Sequence, residues 1–361
     1  MKSPPKLEYD ALTAHSMSDR SDAAGGETPA LDPRKLASEL KDFMAVQPGR
    51  SVWELAVTLA PFAALVLAML FALKAGYTGA LGLLPVSGLL LLRTFIIQHD
   101  CGHGAFLNRR TSNDWVGRAL GVLTFTPYDC WRRSHTLHHA NTGNLDARGF
   151  GDVDTLTVRE FQSRGWLRRL LYRAYRHPVV LFGIGPAYLF LLRHRLPIGL
   201  MREGPQYWIS AIATNLATAA ILAVLVMVFG IGNTLLVVIP TILIAASAGV
   251  WLFYIQHQFE HAHWDRRKGW SFHEAALKGS SHLDLPQPLR WFTGNIGIHH
   301  VHHLASRIPF YRLPGVLAAY PALRDLNRFT LAQTLRPLTL ALWDEDQRRL
   351  VSFREAARAA A

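Results

Sequence analysis

Four stretches long and apolar enough to cross a bilayer constrain this chain more than any other feature: about Val52 to Leu73, Thr78 to Ile97, Tyr207 to Phe229 and Thr234 to Ile255. A hydrocarbon core of about 30 Å takes roughly 20 residues at a rise of 1.5 Å each. With 50% hydrophobic and 18% charged residues, the 361-residue chain reads as an all-α integral membrane protein, not a string of soluble domains. Pro61, Pro85 and Pro240 fall inside the spans and predict kinks, because neighbouring helices can satisfy the freed backbone groups. The apolar run from Pro178 to Leu192 is shorter and interrupted by Gly183, Gly185 and Pro186, so it is expected to lie in the interface or re-enter it.

The positive residues orient the spans. Apart from Lys74 and Arg93, they fall in the N-terminal region, between Arg109 and Arg202, and in the C-terminal third, while the connections near Gly76 and Gly230 carry none. The positive-inside rule then puts both ends and the central segment in the cytoplasm, with four spans in two hairpins. Residues 1–31 are small, polar and lack an apolar signal region, and are expected to be a disordered tail. An amphipathic helix is expected over 32–50, the main domain over 51–330 and a cytoplasmic tail over 331–361. The formal charge of +12 is spread along membrane-flanking segments, which fits anionic lipid headgroups and not nucleic acid.

Against 17 histidines there are only two cysteines, Cys101 and Cys130, which excludes a disulfide framework and a thiolate cluster. The histidines are grouped. "QHDCGH" carries His99 and His103 just past the second span, "SHTLHH" carries His135, His138 and His139, and "IHHVHH" carries His299, His302 and His303. His257 ends the fourth span in "FYIQHQFEH". At about 100° per residue, positions i, i+3 and i+4 share an arc of about 100°, so an HxxHH turn is expected to present three imidazoles to one point. His300 lies to one side of that arc and is expected to be a neighbour of it. Eight box imidazoles exceed the roughly four to six ligands of one metal ion, so the spacing points to a dimetal site in a cytoplasmic helical cap.

These boxes, with "GDVDTLTVREF" after the second and "LDLPQPLRWFTGNIGIHHVHHLASRIPFYRLP" around the third, resemble the membrane fatty acid desaturases, nearest the acyl-lipid, Δ12/ω6-like branch. The resemblance covers about Trp53 to Leu323. It implies a non-haem diiron centre that uses O₂ and two external electrons to remove hydrogen from adjacent acyl methylenes, giving a cis double bond. The eight box histidines carry over as iron ligands, and His257 matches the family's additional histidine. Because the chain has no haem-binding or iron–sulfur motif, the electrons must come from a separate carrier of ferredoxin or cytochrome b5 type. A bacterial inner membrane is the expected location.

Asp100, Asp152, Asp154, Gln256, Glu260 and Asn295 are candidates for orienting the imidazoles. His261, one turn past His257, is left out of the ligand set; His263, His273 and His282 are expected on the surface, and His15, His177 and His194 are given no role. Aromatic and small residues in "RWFTGNIG" and "LTFTPYDCW" are candidates for lining an acyl channel. The same boxes also serve membrane hydroxylases, alkane monooxygenases and carotenoid ketolases. A metal transporter is the non-enzyme alternative, but transporters hold their ligands near the bilayer midplane, whereas these lie at span ends.

Overall fold

The computed structural model describes residues 32–149 and 151–358; the expected N-terminal tail lies outside them. Four helices are long and apolar enough to span a membrane: Pro48–Lys74, Thr78–His103, Pro205–Phe229 and Ile231–His257. Their outward faces are apolar, with Phe71, Leu216, Met227 and Ile231 all at least 60% exposed, as a lipid-facing surface requires. Pro61 and Pro240 sit inside continuous helices, whereas Pro85 stands at the start of the α-helix Leu84–His103, after a 3₁₀ turn over Thr78–Leu83. A residue without an N–H fits the first helical turn, where that donor has no partner in any case.

The second and fourth span helices run on past their apolar stretches. The second ends at His103 because Gly104 takes a left-handed φ of +68° and its N–H caps the Asp100 and Cys101 carbonyls. The HxxxH pair therefore belongs to the span helix itself and is not a following loop. His257 likewise occupies the last turn of Ile231–His257.

Ahead of the first span, Pro33–Glu39 and Leu40–Met44 form a short helical element. Between the second and third spans lie helices Arg110–Leu123, Tyr128–Asn141 and Trp166–Tyr175. The run after Pro178 is wound as two π-helical turns, Val180–Ile184 and Tyr188–Leu192, on either side of Gly185–Ala187. Pro186 supplies no donor there, and just before it the Gly185 N–H reaches back five residues to Val180 O.

Two small sheets complete the helical cap. β1 (Leu156–Thr157) pairs in parallel with β4 (Leu340–Asp344), which pairs antiparallel with β5 (Arg349–Ser352); β2 (His282–Asp284) pairs in parallel with β3 (Arg328–Thr330). Residues 331–358, expected as a tail, are folded into this cap. Every residue of β4 is buried, and Arg176 anchors it by donating to Leu340 O, Tyr254 Oη and Gln258 Oε1 at 2.9 to 3.1 Å. Strands of two to five residues are too short to leave a period in the sequence.

Candidate metal centre

The ends of the second and fourth span helices, the helix Tyr128–Asn141 and the short helix His299–Leu304 deliver the histidines. The third-box helix, His299–Leu304, begins where Ser281 O accepts the N–H groups of both His299 and His300 at 3.1 and 3.2 Å, satisfying donors that a helix start leaves open. The approach to it is glycine-dependent. Gly294, at φ +54°, lies so close to the second span that an added Cβ would stand 2.7 Å from Ile96, and at Gly297 it would meet Leu283 O at 2.4 Å. "TGNIG" thus lets the third box lie directly on the helix that carries the first.

The nine expected ligands converge, but into two groups. His99, His103, His135, His139 and His302 form one; His138, His257, His299 and His303 form the other, and within each group the candidate ligand atoms lie within 4.8 Å of one another. The triplets do not point at one place. In both HxxHH boxes the i and i+4 members, about 40° apart, serve the same group, while the i+3 member, about 60° to the other side of i, serves the other. His138 crosses to the group of the third box, and His302 crosses to that of the second.

Within each group the imidazoles face one another through Nε2. His103, His135, His139 and His302 form a chain with separations of 3.0, 3.1 and 3.2 Å. His138, His257, His299 and His303 form another, at 3.2, 2.9 and 3.1 Å. Two nitrogens bound about 2.1 Å from one metal ion stand roughly 3.0 to 3.4 Å apart, so both groups have the spacing of a coordination shell. Burial first, and neighbouring imidazoles second, hold His135, His139, His299, His302 and His303 well below the usual histidine range, so these rings stay neutral and keep a free lone pair.

Carboxylates orient one ring in each group. His138 donates its Nδ1–H to Asp152 at 2.5 Å, and Asp100 lies 3.3 Å from His99 Nδ1 while its second oxygen accepts the Phe310 N–H at 2.7 Å. A ring held at Nδ1 keeps Nε2 for a metal. The other orientation candidates act elsewhere: Gln256 donates to Ile296 O and Asn295 to Phe310 O, bracing the third-box loop, and Glu260 pairs with Arg349 and Arg336. Asp154 takes part through its backbone, donating its N–H to Tyr175 Oη.

A sequence model of the family described as fatty acid desaturase matches residues 75–332. The chain belongs to the fatty acid desaturase family. A Bacillus subtilis protein named fatty acid desaturase is 39% identical over 91% of this chain and 93% of its own length. Two Synechocystis proteins are also similar: an sn-1 oleoyl-lipid 12-desaturase, 28% identical over 69% of this chain and 72% of its own, and an sn-1 acyl-lipid omega-3 desaturase (ferredoxin), 30% identical over 68% of each. As a desaturase-family member with four span-length helices, the chain is an integral membrane oxidoreductase.

The remaining histidines divide as follows. His300 donates Nε2–H to Leu323 O at 2.9 Å and stands outside both groups. His261 is exposed and off the helix, which ends at His257, so it does not share that residue's face. His177 is exposed, and His194, His263 and His273 are partly buried; His15 lies outside the described residues. His282, expected on the surface, is only 2% exposed: it begins β2 and donates Nδ1–H to Arg324 O at 2.6 Å. A backbone partner from a distant segment leaves no local pattern.

Of the segments considered for an acyl channel, "LTFTPYDCW" supplies Trp131, stacked on His135 with centroids 4.7 Å apart, and "RWFTGNIG" supplies Trp291, 4.1 Å from the Arg93 guanidinium. Sequence reasoning noted Arg93 without giving it a role and passed over Glu54; the two are paired inside the first two span helices and each is 2% exposed. Charge in an apolar stretch is the signal that could have found them.

Proposed function

We propose that the chain is an O₂-dependent acyl-lipid desaturase that introduces a cis double bond, with two iron ions held by the nine histidines. The reading rests above all on the convergence of those histidines into adjacent groups of five and four. His99, His103, His135, His139 and His302 would hold one ion, and His138, His257, His299 and His303 the other. Iron bound there would supply activation of O₂ for removing hydrogen from an unactivated methylene.

The protein's own part is positional. Burial keeps the rings of His135, His139, His299, His302 and His303 neutral, and Asp100 and Asp152 hold one ring of each group in the orientation that frees Nε2. The electrons come from a separate carrier. Relatives named as ferredoxin-dependent acyl-lipid desaturases support a ferredoxin-type donor and a lipid-bound acyl chain. The distribution of Lys and Arg supports a site on the cytoplasmic face of the membrane.

The test is expression in a host lacking polyunsaturated lipids, followed by double-bond localisation and metal analysis of the purified protein. New cis double bonds and two irons per chain are expected. Hydroxy acids without new double bonds would instead assign a hydroxylase, and metal movement across vesicles by the purified protein, with no lipid-oxidising function lost in His302→Ala, would assign a transporter.

A further inference from the structure

The five-histidine group is open on one side. His103 and His135 are its part-exposed members, and His103 stands in the wall of a cleft of about 390 Å³ whose other walls include Arg110, Asp129, Arg132, Arg133 and Tyr207. The cleft lies where two spans end: His103 closes the second span helix, and Tyr207 stands in the first turn of the third, Pro205–Phe229. Span ends mark the polar boundary of the bilayer, and Tyr207 with the adjacent Trp208 supplies the residue types that gather there.

The arginines are braced, not spent. Arg110 and Arg132 hold Asp114 at 3.2 and 3.0 Å, Arg118 holds Asp129 at 2.9 Å, and Arg133 holds Glu203 at 2.9 Å. Arg110, Arg132 and Arg133 line the cleft; together with Arg118 behind them, four guanidiniums share three carboxylates, which leaves this network with one positive charge in excess. A guanidinium has five N–H donors, and one or two carboxylate contacts leave others free. The fitting ligand carries one negative charge and several acceptor oxygens and sits at headgroup depth. Planar guanidiniums suit a phosphate in all three respects.

We propose that this cleft binds the phosphodiester headgroup of a glycerophospholipid, presenting one of its acyl chains to the histidine groups. The proposal rests on the acyl-lipid reading above and adds the class of headgroup. A folded acidic carrier fits less well, because the cleft lies between span ends at the membrane boundary and not on the outer face of the cap.

The test uses the full-length, iron-loaded protein in detergent micelles and measures binding without turnover. Fluorescent phosphatidylglycerol is compared with diacylglycerol bearing the same chains. Arg132→Gln and Arg133→Gln are each expected to weaken phosphatidylglycerol binding about tenfold, the effect of losing a charge-assisted hydrogen bond, and to leave diacylglycerol binding within about twofold. Arg132 is tied to two carboxylates, so if its variant misfolds, Arg133, which is 40% exposed in its side chain, carries the test alone. Equal weakening of both lipids, or none, overturns the proposal. Inorganic phosphate that competes as strongly as the lipid would make this a free-anion site. A raised KM for the reduced carrier with unchanged lipid binding would make it a carrier-docking surface. Because binding is read without turnover, failure of the wild type to desaturate would count against the proposed reaction and leave the headgroup result to stand or fall separately.

Discussion

The rings of His139 and His303 are stacked, 4.0 Å between centroids and 7° from parallel, although their Nε2 atoms belong to different groups. The two groups therefore share a wall, and the boxes that build them are interleaved. Removing one imidazole has unequal consequences. A group of four reduced to three falls below a tetrahedral shell, whereas a group of five reduced to four does not. His138→Ala, His257→Ala, His299→Ala and His303→Ala are each expected to lower bound iron from two per chain to about one. His99→Ala and His302→Ala are expected to retain more iron while losing desaturation. Metal analysis beside product analysis checks this, and equal iron loss in both sets would contradict the division into five and four.

Asp152 reaches the His138 ring from a loop 14 residues further along the chain. Asp152→Asn replaces a carboxylate by an amide, which weakens the hold on the Nδ1–H tautomer and on the ring angle. The expected result is a loss of iron affinity of roughly 10- to 100-fold with the fold intact, read by chelator titration. Unchanged affinity would mean that packing against Phe253, 4.9 Å away, suffices to hold the ring.

His300 sits among three proposed ligands but bonds to Leu323 O. His300→Ala leaves that carbonyl buried and unsatisfied, which is expected to cost about 1 to 3 kcal/mol in stability. Iron content should stay at the wild-type level. Loss of iron in this variant, with retention in His299→Ala, would mean that the register of the third-box helix is different.

Much of this was legible in the sequence. A stretch such as Tyr207 to Phe229 announces a span by length alone, and the helix found is Pro205–Phe229. The box spacings identified the histidines that come together, but not how they divide, because a 3.6-residue period fixes directions around one helix and not the position of a second helix beside it. For the same reason Asp100 and Asp152 could not be separated from Asp154 and Glu260, which lie at similar sequence distances but face other partners. Glu54 and Arg93 were visible as charges in apolar stretches, yet their pairing is a tertiary fact.

His282 makes the stability of the fold depend on pH. Burial is the main reason its imidazole is held below the usual histidine range, so the folded chain resists protonation there while the unfolded chain accepts a proton near pH 6.5. The unfolded state then binds more protons, and stability falls as pH drops below about 6.5. Thermal unfolding measured between about pH 7.5 and 5.5 should show a shallower decline in His282→Gln than in the wild type. Parallel curves would mean that His282 does not contribute.

The pair of Glu54 and Arg93 ties the span helices to the third box. Arg93 donates to Glu54, to the carbonyl of Trp291 and, at 3.0 Å, to Thr58 Oγ1, and its guanidinium lies over the Trp291 ring. Trp291 leads into the glycine turn that seats His299 to His303, so the pair holds that segment against the first two spans. Glu54→Gln leaves a buried guanidinium without its counter-charge and is expected to destabilise the fold by about 3 to 5 kcal/mol, because the desolvation cost remains when the attraction is lost. Replacing both partners, Glu54→Leu with Arg93→Leu, removes that cost and should recover much of the thermal stability. It does not restore the hydrogen bond to Trp291, so iron retention should recover less than the unfolding temperature does. Measuring both on the three proteins separates the roles: full recovery of iron along with stability would show that the pair stabilises the spans without positioning the third box.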